Sequence, residues 1–160
     1  MEKFYTSDVI IYTGVTKPSL EHWIARGWVR PSIQASSGIE TENIFSRTDL
    51  YHIALIKKVH ESGFSAELAV QKINIYPICN TSDKGSSYNP VGIALSRVTS
   101  DGEYQTQGAW IISPLIDKKT GWDSLALIAQ RLNEGADDFY ILNFTKLKEQ
   151  IDLMIDAVRG

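Results

Sequence analysis

The chain has 160 residues, of which 43% are hydrophobic and 22% are charged, a globular composition that excludes an intrinsically disordered protein. The formal net charge is −3, and residues 1–75 carry eight basic and eight acidic side chains, so any basic surface for nucleic acid must be local. The single cysteine, Cys79, excludes an internal disulfide, and the three scattered histidines do not form a metal-binding pattern.

Two short helices separated by a glycine turn are predicted at the N-terminus. Ser7 is the predicted N-cap of a helix over residues 8–13, and Gly14 supplies the turn. Thr16 caps the second helix, which ends at Gly27. Apolar residues recur along this second helix at helical spacing: Leu20, Trp23 and Ile24. Two helices in this arrangement predict a helix-turn-helix.

A small β-hairpin, or wing, is predicted next. The apolar segments 28–32 and 44–45 flank a polar segment at 34–43 that is rich in serine and contains a glycine. Ser46 and Asp49 then have the spacing of a capping box, which predicts a third helix ending near Glu61.

The rest of the chain predicts a small α+β region. Ser65 caps a fourth helix, and residues 77–90 are rich in turn formers, which indicates a linker or exposed loop. Residues 91–98 and 103–112 predict a β-hairpin, because an Asp-Gly pair separates two β-rich runs. A further helix is predicted over 123–133.

A strand over 138–144 and a last helix capped by Thr145 complete the prediction. The apolar stripe of this helix either packs on the hairpin sheet or forms a two-fold dimer seam. The candidate dimerisation residues are Leu147, Ile151, Met154 and Ile155. Aromatic residues of the C-terminal half are predicted either to form its core or to line an effector pocket.

The first ~75 residues resemble the MerR family of transcriptional regulators, through helix, Gly-Val turn, helix, wing, helix and Gly-Phe-Ser in this order. The matching pieces are Thr13-Gly14-Val15-Thr16, Leu20, Trp23, Ala25-Arg26-Gly27, Val29-Arg30-Pro31-Ser32, Phe45-Ser46, Asp49-Leu50, Ile56-Lys57 and Ser62-Gly63-Phe64-Ser65.

We therefore predict an α+β protein with three parts. The resemblance implies that residues 1–76 form a MerR-like winged helix-turn-helix domain that binds DNA, and the composition of residues 77–90 indicates the linker or loop. Residues 91–160 form a dimerisation or effector region with a β-hairpin and two helices. The implied partners are double-stranded promoter DNA, which the family distorts, and a second copy of the chain. RNA polymerase and a small-molecule effector are candidate further partners.

The candidate DNA contacts follow from how a recognition helix enters the major groove, with its N-terminal residues toward the bases. The groove candidates are Thr16, Lys17, Ser19 and His22. The phosphate candidates are Arg26 and Arg30, and the wing candidates are Ser37 and Asn43. The alternative is that Thr16 and Ser19 only cap the helix, and that Lys17 and Arg26 are ordinary solvated side chains.

Three features depart from the family pattern. Glu21 stands where the family usually has an arginine, so either a phosphate contact is lost or Glu21 accepts a hydrogen bond from a base such as cytosine. The wing carries Glu40 and Glu42 in place of a basic residue. The turn-rich segment 77–90 replaces the long helix through which family dimers commonly pair, so we expect a different mode of dimerisation.

Two rival functions stay open: a winged-helix module that binds protein instead of DNA, and a phage-type regulator without strong DNA binding. An enzyme is not expected, because the sequence has no nucleophile-base pair, phosphate loop or ligand cluster. We therefore predict no catalytic residue, no metal site and no cofactor. Without a membrane-length apolar run or a signal peptide, we expect a cytoplasmic protein with no membrane partner.

Overall fold

The computed structural model describes residues 2–36, 42–67, 70, 92–100, 103–112, 130, 133–135 and 138–159. The elements in chain order are β1 (Phe4–Tyr5), α1 (Thr6–Thr13), α2 (Lys17–Ala25), β2 (Ile44–Phe45), α3 (Arg47–Glu61), β3 (Gly92–Ser100), β4 (Glu103–Ile112), β5 (Asp138–Asn143) and α4 (Phe144–Arg159). The fold is α+β, as predicted. The predicted loop 77–90, and most of the helices predicted from Ser65 and over 123–133, lie outside the described residues.

The first helix begins earlier than predicted. Its N-cap is Tyr5, whose backbone N–H donates to Asp8 Oδ2 at 2.8 Å. Ser7 is therefore not the cap, because it lies within the helix, which begins at Thr6 directly after β1. The second helix begins after Thr16 and is followed by Gly27, as predicted.

The first strand of the predicted wing hairpin lies later in the chain than expected. Gln34 forms an isolated antiparallel bridge with Ile44, whose N–H donates to Gln34 O at 2.8 Å. Trp28 and Val29, expected in the first strand, instead close the end of α2, because both backbone N–H groups donate to Trp23 O. The other edge of β2 pairs with β1, an element that the sequence analysis did not predict.

Helix α3 lies at the centre of the described core. Ser46 caps it with the predicted capping box, and Gly63 follows its end with a φ of 83°. It packs against α1, β2 and α4. The buried apolar residues form one cluster that extends from β1 to α4, and the largest fully buried side chains are Phe4, Phe45, Phe144, Leu20, Leu50, Ile53, Leu55, Ile56 and Ile151.

A three-stranded antiparallel sheet has β3 at its centre, in the order β4-β3-β5. The predicted hairpin of β3 and β4 is confirmed, with Ser100 opposite Glu103. Ser96 pairs with Gly108 and Arg97 pairs with Thr106, so the strand β4 has one extra residue at a bulge. On its other edge, β3 pairs with β5.

The last helix follows β5 without a loop. Asn143 ends the strand and its Oδ1 accepts from the N–H of Lys146 at 2.9 Å, so Asn143 caps the helix in place of the predicted Thr145. The helix packs against α1 and α3, so the predicted N-terminal and C-terminal regions share one core in the described part of the chain.

This packing determines what each dimerisation candidate does. Ile151 and Ile155 are buried within their own chain, so their side chains are not available to a second copy. Leu147 is half-buried, and Met154 is exposed. The predicted stripe is therefore mainly the internal face of α4, and the alternative in which it packs within the chain, with contacts to β3 of the hairpin sheet, is the one that the structure supports.

His52, on α3, is 8% exposed, and its burial lowers its pKa below 6.5, against the opposing effect of the nearby Asp49 charge. As the pH falls below about 6.5, the unfolded chain therefore takes up a proton before the folded chain does, and the free energy of unfolding decreases. We expect His52→Gln to remove this part of the decrease, which amounts to about 1.4 kcal/mol for each unit of pKa lowering.

Chemical denaturation between about pH 5 and pH 7 measures the effect. The control is His60→Gln, which replaces an exposed histidine on the same helix and should retain the decrease. An unchanged pH dependence in His52→Gln would contradict the assignment.

Candidate nucleic-acid interface

The turn between α1 and α2 is tightly determined by its own backbone. Gly14 has a left-handed φ of 66°, and its N–H donates to Ile10 O at 2.9 Å. The Thr13 hydroxyl donates to Val9 O at 2.7 Å and accepts from the N–H of Val15 at 3.2 Å. A side chain at position 14 would strain this backbone, so glycine fits the turn.

The start of α2 uses two of the predicted groove candidates as a cap. The Thr16 Oγ1 accepts from the N–H of Ser19 at 3.3 Å, and the two hydroxyl oxygens are 2.8 Å apart. Thr16 is exposed and Ser19 is half-buried. Both residues therefore stabilise the helix start, whatever else they contact.

The two sides of α2 have opposite character. Leu20 and Trp23 are buried in the core and hold the helix from behind. The exposed polar side carries the remaining predicted contacts of this helix and the residues after it: Lys17, His22, Arg26 and Arg30. We call this side the outer face of α2, defined by Thr16, Lys17, Ser19, Glu21, His22, Arg26 and Arg30.

Charge on the outer face of α2 is mixed. Lys17 Nζ lies 3.9 Å from Glu21 Oε1, and their side chains are 68% and 62% exposed. Such a solvated pair contributes little free energy, so both groups are free to exchange this contact for another partner. His22 stands edge-on to Trp28, with 5.9 Å between ring centroids, which orients the imidazole.

The wing region adds one described contact to this surface. Asn43 Oδ1 accepts from the N–H of Ser36 at 2.8 Å and so joins the two ends of the wing loop. Because the amide oxygen is used within the protein, the amide NH₂ is the group that Asn43 can offer to a phosphate. Ser37, the other wing candidate, lies outside the described residues.

A buried carboxylate holds the base of the wing to α3. Asp49 Oδ2 accepts from the N–H of Ser46 at 2.7 Å, from the N–H of Ser32 at 3.0 Å and from the Ser32 hydroxyl at 2.6 Å. The Ser32 and Ser46 hydroxyl oxygens are 2.8 Å apart. The sequence predicted Asp49 only as a helix cap; nothing in it indicated the contact with Ser32, which spans 17 residues.

A small cavity of about 210 Å³ lies on another side of the molecule, between α1, α3 and α4. This volume is below the roughly 300–1,000 Å³ of typical small-molecule sites. The Lys57–Glu61 ion pair, with 2.8 Å between Nζ and Oε1, lies at this cavity, and so does Met154. The side chains of β3 and β4, where an effector pocket was one prediction, lie outside the described residues.

No family model matches the sequence, and no curated protein matches it. Within the described ranges, no three histidine, cysteine, aspartate or glutamate side chains are grouped so that they could hold a metal ion. The helices of these ranges include none with the length and apolar character needed to cross a membrane.

We expect Asp49→Ala to lower the free energy of unfolding by about 2–4 kcal/mol, because it removes a cap and leaves the Ser32 and Ser46 donors without their acceptor. Asp8→Ala, which removes the corresponding cap of α1, is the control and should cost about 1 kcal/mol. Urea denaturation measures both values, and amide hydrogen exchange at Ser32 should accelerate only in Asp49→Ala. Equal losses in the two variants, with Ser32 still protected, would contradict a role in holding the wing.

Proposed function

We propose that this chain is a sequence-specific DNA-binding transcriptional regulator of the MerR type. In this proposal residues 1–76 act as a winged helix-turn-helix, α2 enters the major groove, and the wing lies on the adjacent backbone. The observation that carries the proposal is the exposed outer face of α2, opposite the buried Leu20 and Trp23 of the same helix. A helix anchored in this way is free to enter a groove without unfolding anything else.

The residues of this face take different roles in the proposed complex. Lys17 begins α2 and reaches base edges, since the N-terminal part of a recognition helix points into the groove. His22, on the last turn of the helix, is proposed as a further base contact. Arg26 and Arg30 follow the end of the helix and contact phosphates. Arg30 Nη2 lies 3.9 Å from the position that a Cβ on Gly27 would take, which places its guanidinium beside the end of α2.

The balanced charge of residues 1–75 predicts a modest electrostatic contribution. If Arg26 and Arg30 neutralise two phosphates in each subunit, the logarithm of the binding constant falls with the logarithm of salt concentration with a slope of about −2 per subunit. A regulator of promoter DNA in a bacterium works in the cytoplasm, alongside RNA polymerase. Both the polymerase and a small-molecule effector are proposed partners on the family resemblance alone.

The second candidate function is a module that keeps this fold and binds protein. Its support is the acidic character of the same surface, because Glu21 is 62% exposed on α2 and Glu42 is exposed on the wing. Carboxylates repel phosphate, so a surface used only for DNA backbone would not need them. A phage-type regulator with weak DNA binding is consistent with the same observation.

A titration of random duplex DNA, measured by fluorescence anisotropy at about 50 and 200 mM salt, distinguishes these functions. We expect binding that weakens with salt, and we expect Lys17→Glu to weaken it by about tenfold or more because it reverses a charge at the groove. Lys3→Glu reverses an exposed charge on the segment that leads into β1, and should bind as the unchanged protein does. No binding at the lower salt concentration would favour the protein-binding module.

Glu21 predicts a base preference. The only hydrogen-bond donors that bases present in the major groove are the amino groups of cytosine N4 and adenine N6. A carboxylate there accepts a hydrogen bond from either amino group, whereas the acceptor atoms of guanine and thymine repel it. We expect Glu21 to select cytosine at one position, and Glu21→Gln to shift that preference to adenine, because glutamine pairs with adenine through two bonds.

Selection of bound sequences from randomised duplexes, with both proteins, measures the preference. The discrimination at that position should be about 1–3 kcal/mol. The same preferred base in both selections would show that Glu21 does not face the groove.

A further inference from the structure

Helix α4 has two apolar faces. One is buried inside the chain, and the other is exposed. Leu153 and Val158 are 69% and 65% exposed, and Met154 is 40% exposed. We call this the outer face of α4, defined by Gln150, Leu153, Met154, Ala157 and Val158, all of them exposed. Their spacing of i, i+3, i+4, i+7 and i+8 makes one continuous stripe along the helix.

One edge of the outer face of α4 borders the cavity described above. Gln150 and Met154 belong to the stripe and also line that cavity, together with Leu147 of the same helix and Lys58 of α3. Lys57 at this edge is paired with Glu61, whereas exposed Lys58 has no ion pair within the described residues. This edge is therefore concave and carries one unbalanced positive charge.

The opposite edge of the stripe has a net negative charge, because its two carboxylates outnumber the exposed Lys146 that helical rotation places on the same side. Glu149 and Asp156 are seven residues apart, and the rotation of 100° per residue puts both on the side away from Met154 and the cavity. Neither carboxylate forms an ion pair with another described residue. Leu153 lies at this acidic edge of the stripe.

We infer that the outer face of α4 binds a second copy of this chain, with the two α4 helices side by side and parallel about a two-fold axis. This seam deepens the proposed function, which requires a dimer. The observations behind it concern only α4 and the residues around it. A parallel two-fold puts the acidic edge of each helix against the cavity edge of the other. Glu149 of each copy then lies on the side of Lys58 of the other copy, so this opposite-charge contact occurs twice.

The antiparallel arrangement fits less well. A two-fold axis perpendicular to the helices puts acidic edge against acidic edge, which repels. It also turns Leu153 away from the partner's cavity, whereas the parallel arrangement directs Leu153 toward that cavity and its apolar wall of Leu147 and Met154. The parallel pair therefore brings opposite charges together at the two edges and places Leu153 at the partner's cavity.

The dimer formed through this face should have a modest affinity. A helix of 16 residues is about 24 Å long and offers one stripe, less than the roughly 800 Å² per partner of a standard interface. A dissociation constant in the micromolar range, on the order of 1–50 μM, is therefore expected for the free protein. A second contact through DNA would add to this affinity in a complex.

Sedimentation velocity on the full chain, from about 1 to 300 μM, should show a monomer–dimer equilibrium in this range. We expect Leu153→Lys to weaken the dimer at least tenfold, because it buries a second positive charge beside Lys58 in the partner's cavity. Ile141→Lys is the matched control, since Ile141 is 59% exposed on β5 and lies outside the stripe. Both replaced side chains are exposed, and equal melting temperatures of the variants would show that folding is unaffected.

Disulfide cross-linking tests the direction of the helices. In a Cys79→Ser background, Gln150→Cys and Ala157→Cys should each link to the same position of the second copy, because parallel helices bring like residues together. Linking in only one of these two variants, or only between the two different variants when they are mixed, would overturn the parallel arrangement. A monomer at every concentration, or a dimer unaffected by Leu153→Lys, would overturn the seam itself.

These outcomes are separate from those of the proposed function. A monomer that binds duplex DNA discards the seam and keeps the regulator, whereas a dimer of this kind that binds no DNA keeps the seam and favours the protein-binding module.

Discussion

Helix α3 is enclosed by the rest of the described chain, and its position determines where the other elements lie. Nine of its 15 residues are buried, far more than the single apolar stripe of a surface helix, so partners have to cover several of its sides. Those partners are α1, β2 and α4. Removal of this apolar surface from water, at about 25 cal/mol per Å², is the main stabilising contribution in this part of the molecule.

Polar contacts at the first turns of α3 determine how α4 is oriented against it. Arg47 Nη1 lies 2.8 Å from Asp152 Oδ1 of α4, and Arg47 also forms two bonds with Glu2. The Tyr51 hydroxyl donates to Asp152, and burial together with this hydrogen bond raises the pKa of the phenol, so Tyr51 stays a donor at neutral pH. Partly solvated ion pairs contribute about 0–1 kcal/mol each, so these contacts orient α4 more than they stabilise it.

The sequence predicted the elements whose signals are local. The cap at Thr16, the left-handed Gly14 and the capping box of Ser46 and Asp49 each act within four residues, and each is confirmed. The apolar stripe of α2 likewise predicted which side of that helix is exposed, because Leu20 and Trp23 share one face.

What could not be predicted depends on residues far apart in the chain. The pairing of β1 with β2 joins two strands of two residues each, which are too short to show a period. Helix α4 has two apolar faces, and only the placement of α1 and α3 decides which one is buried. From the sequence, the face of Ile151 and Ile155 could either pack on the sheet or form a dimer seam, and in the structure the core covers it.

The two proposed surfaces are connected through one lysine. Lys57 Cε and Nζ both lie 3.7 Å from the position that a Cβ on Gly14 would take, so this side chain contacts the turn that leads into α2. The same lysine lines the cavity at the edge of the outer face of α4. A second copy seated there would contact groups that adjoin the turn, and α1, which packs on both α3 and α4, leads into α2 through that turn. In the proposed regulator, the position of the seam would then influence the spacing of the two recognition helices on DNA through this short turn.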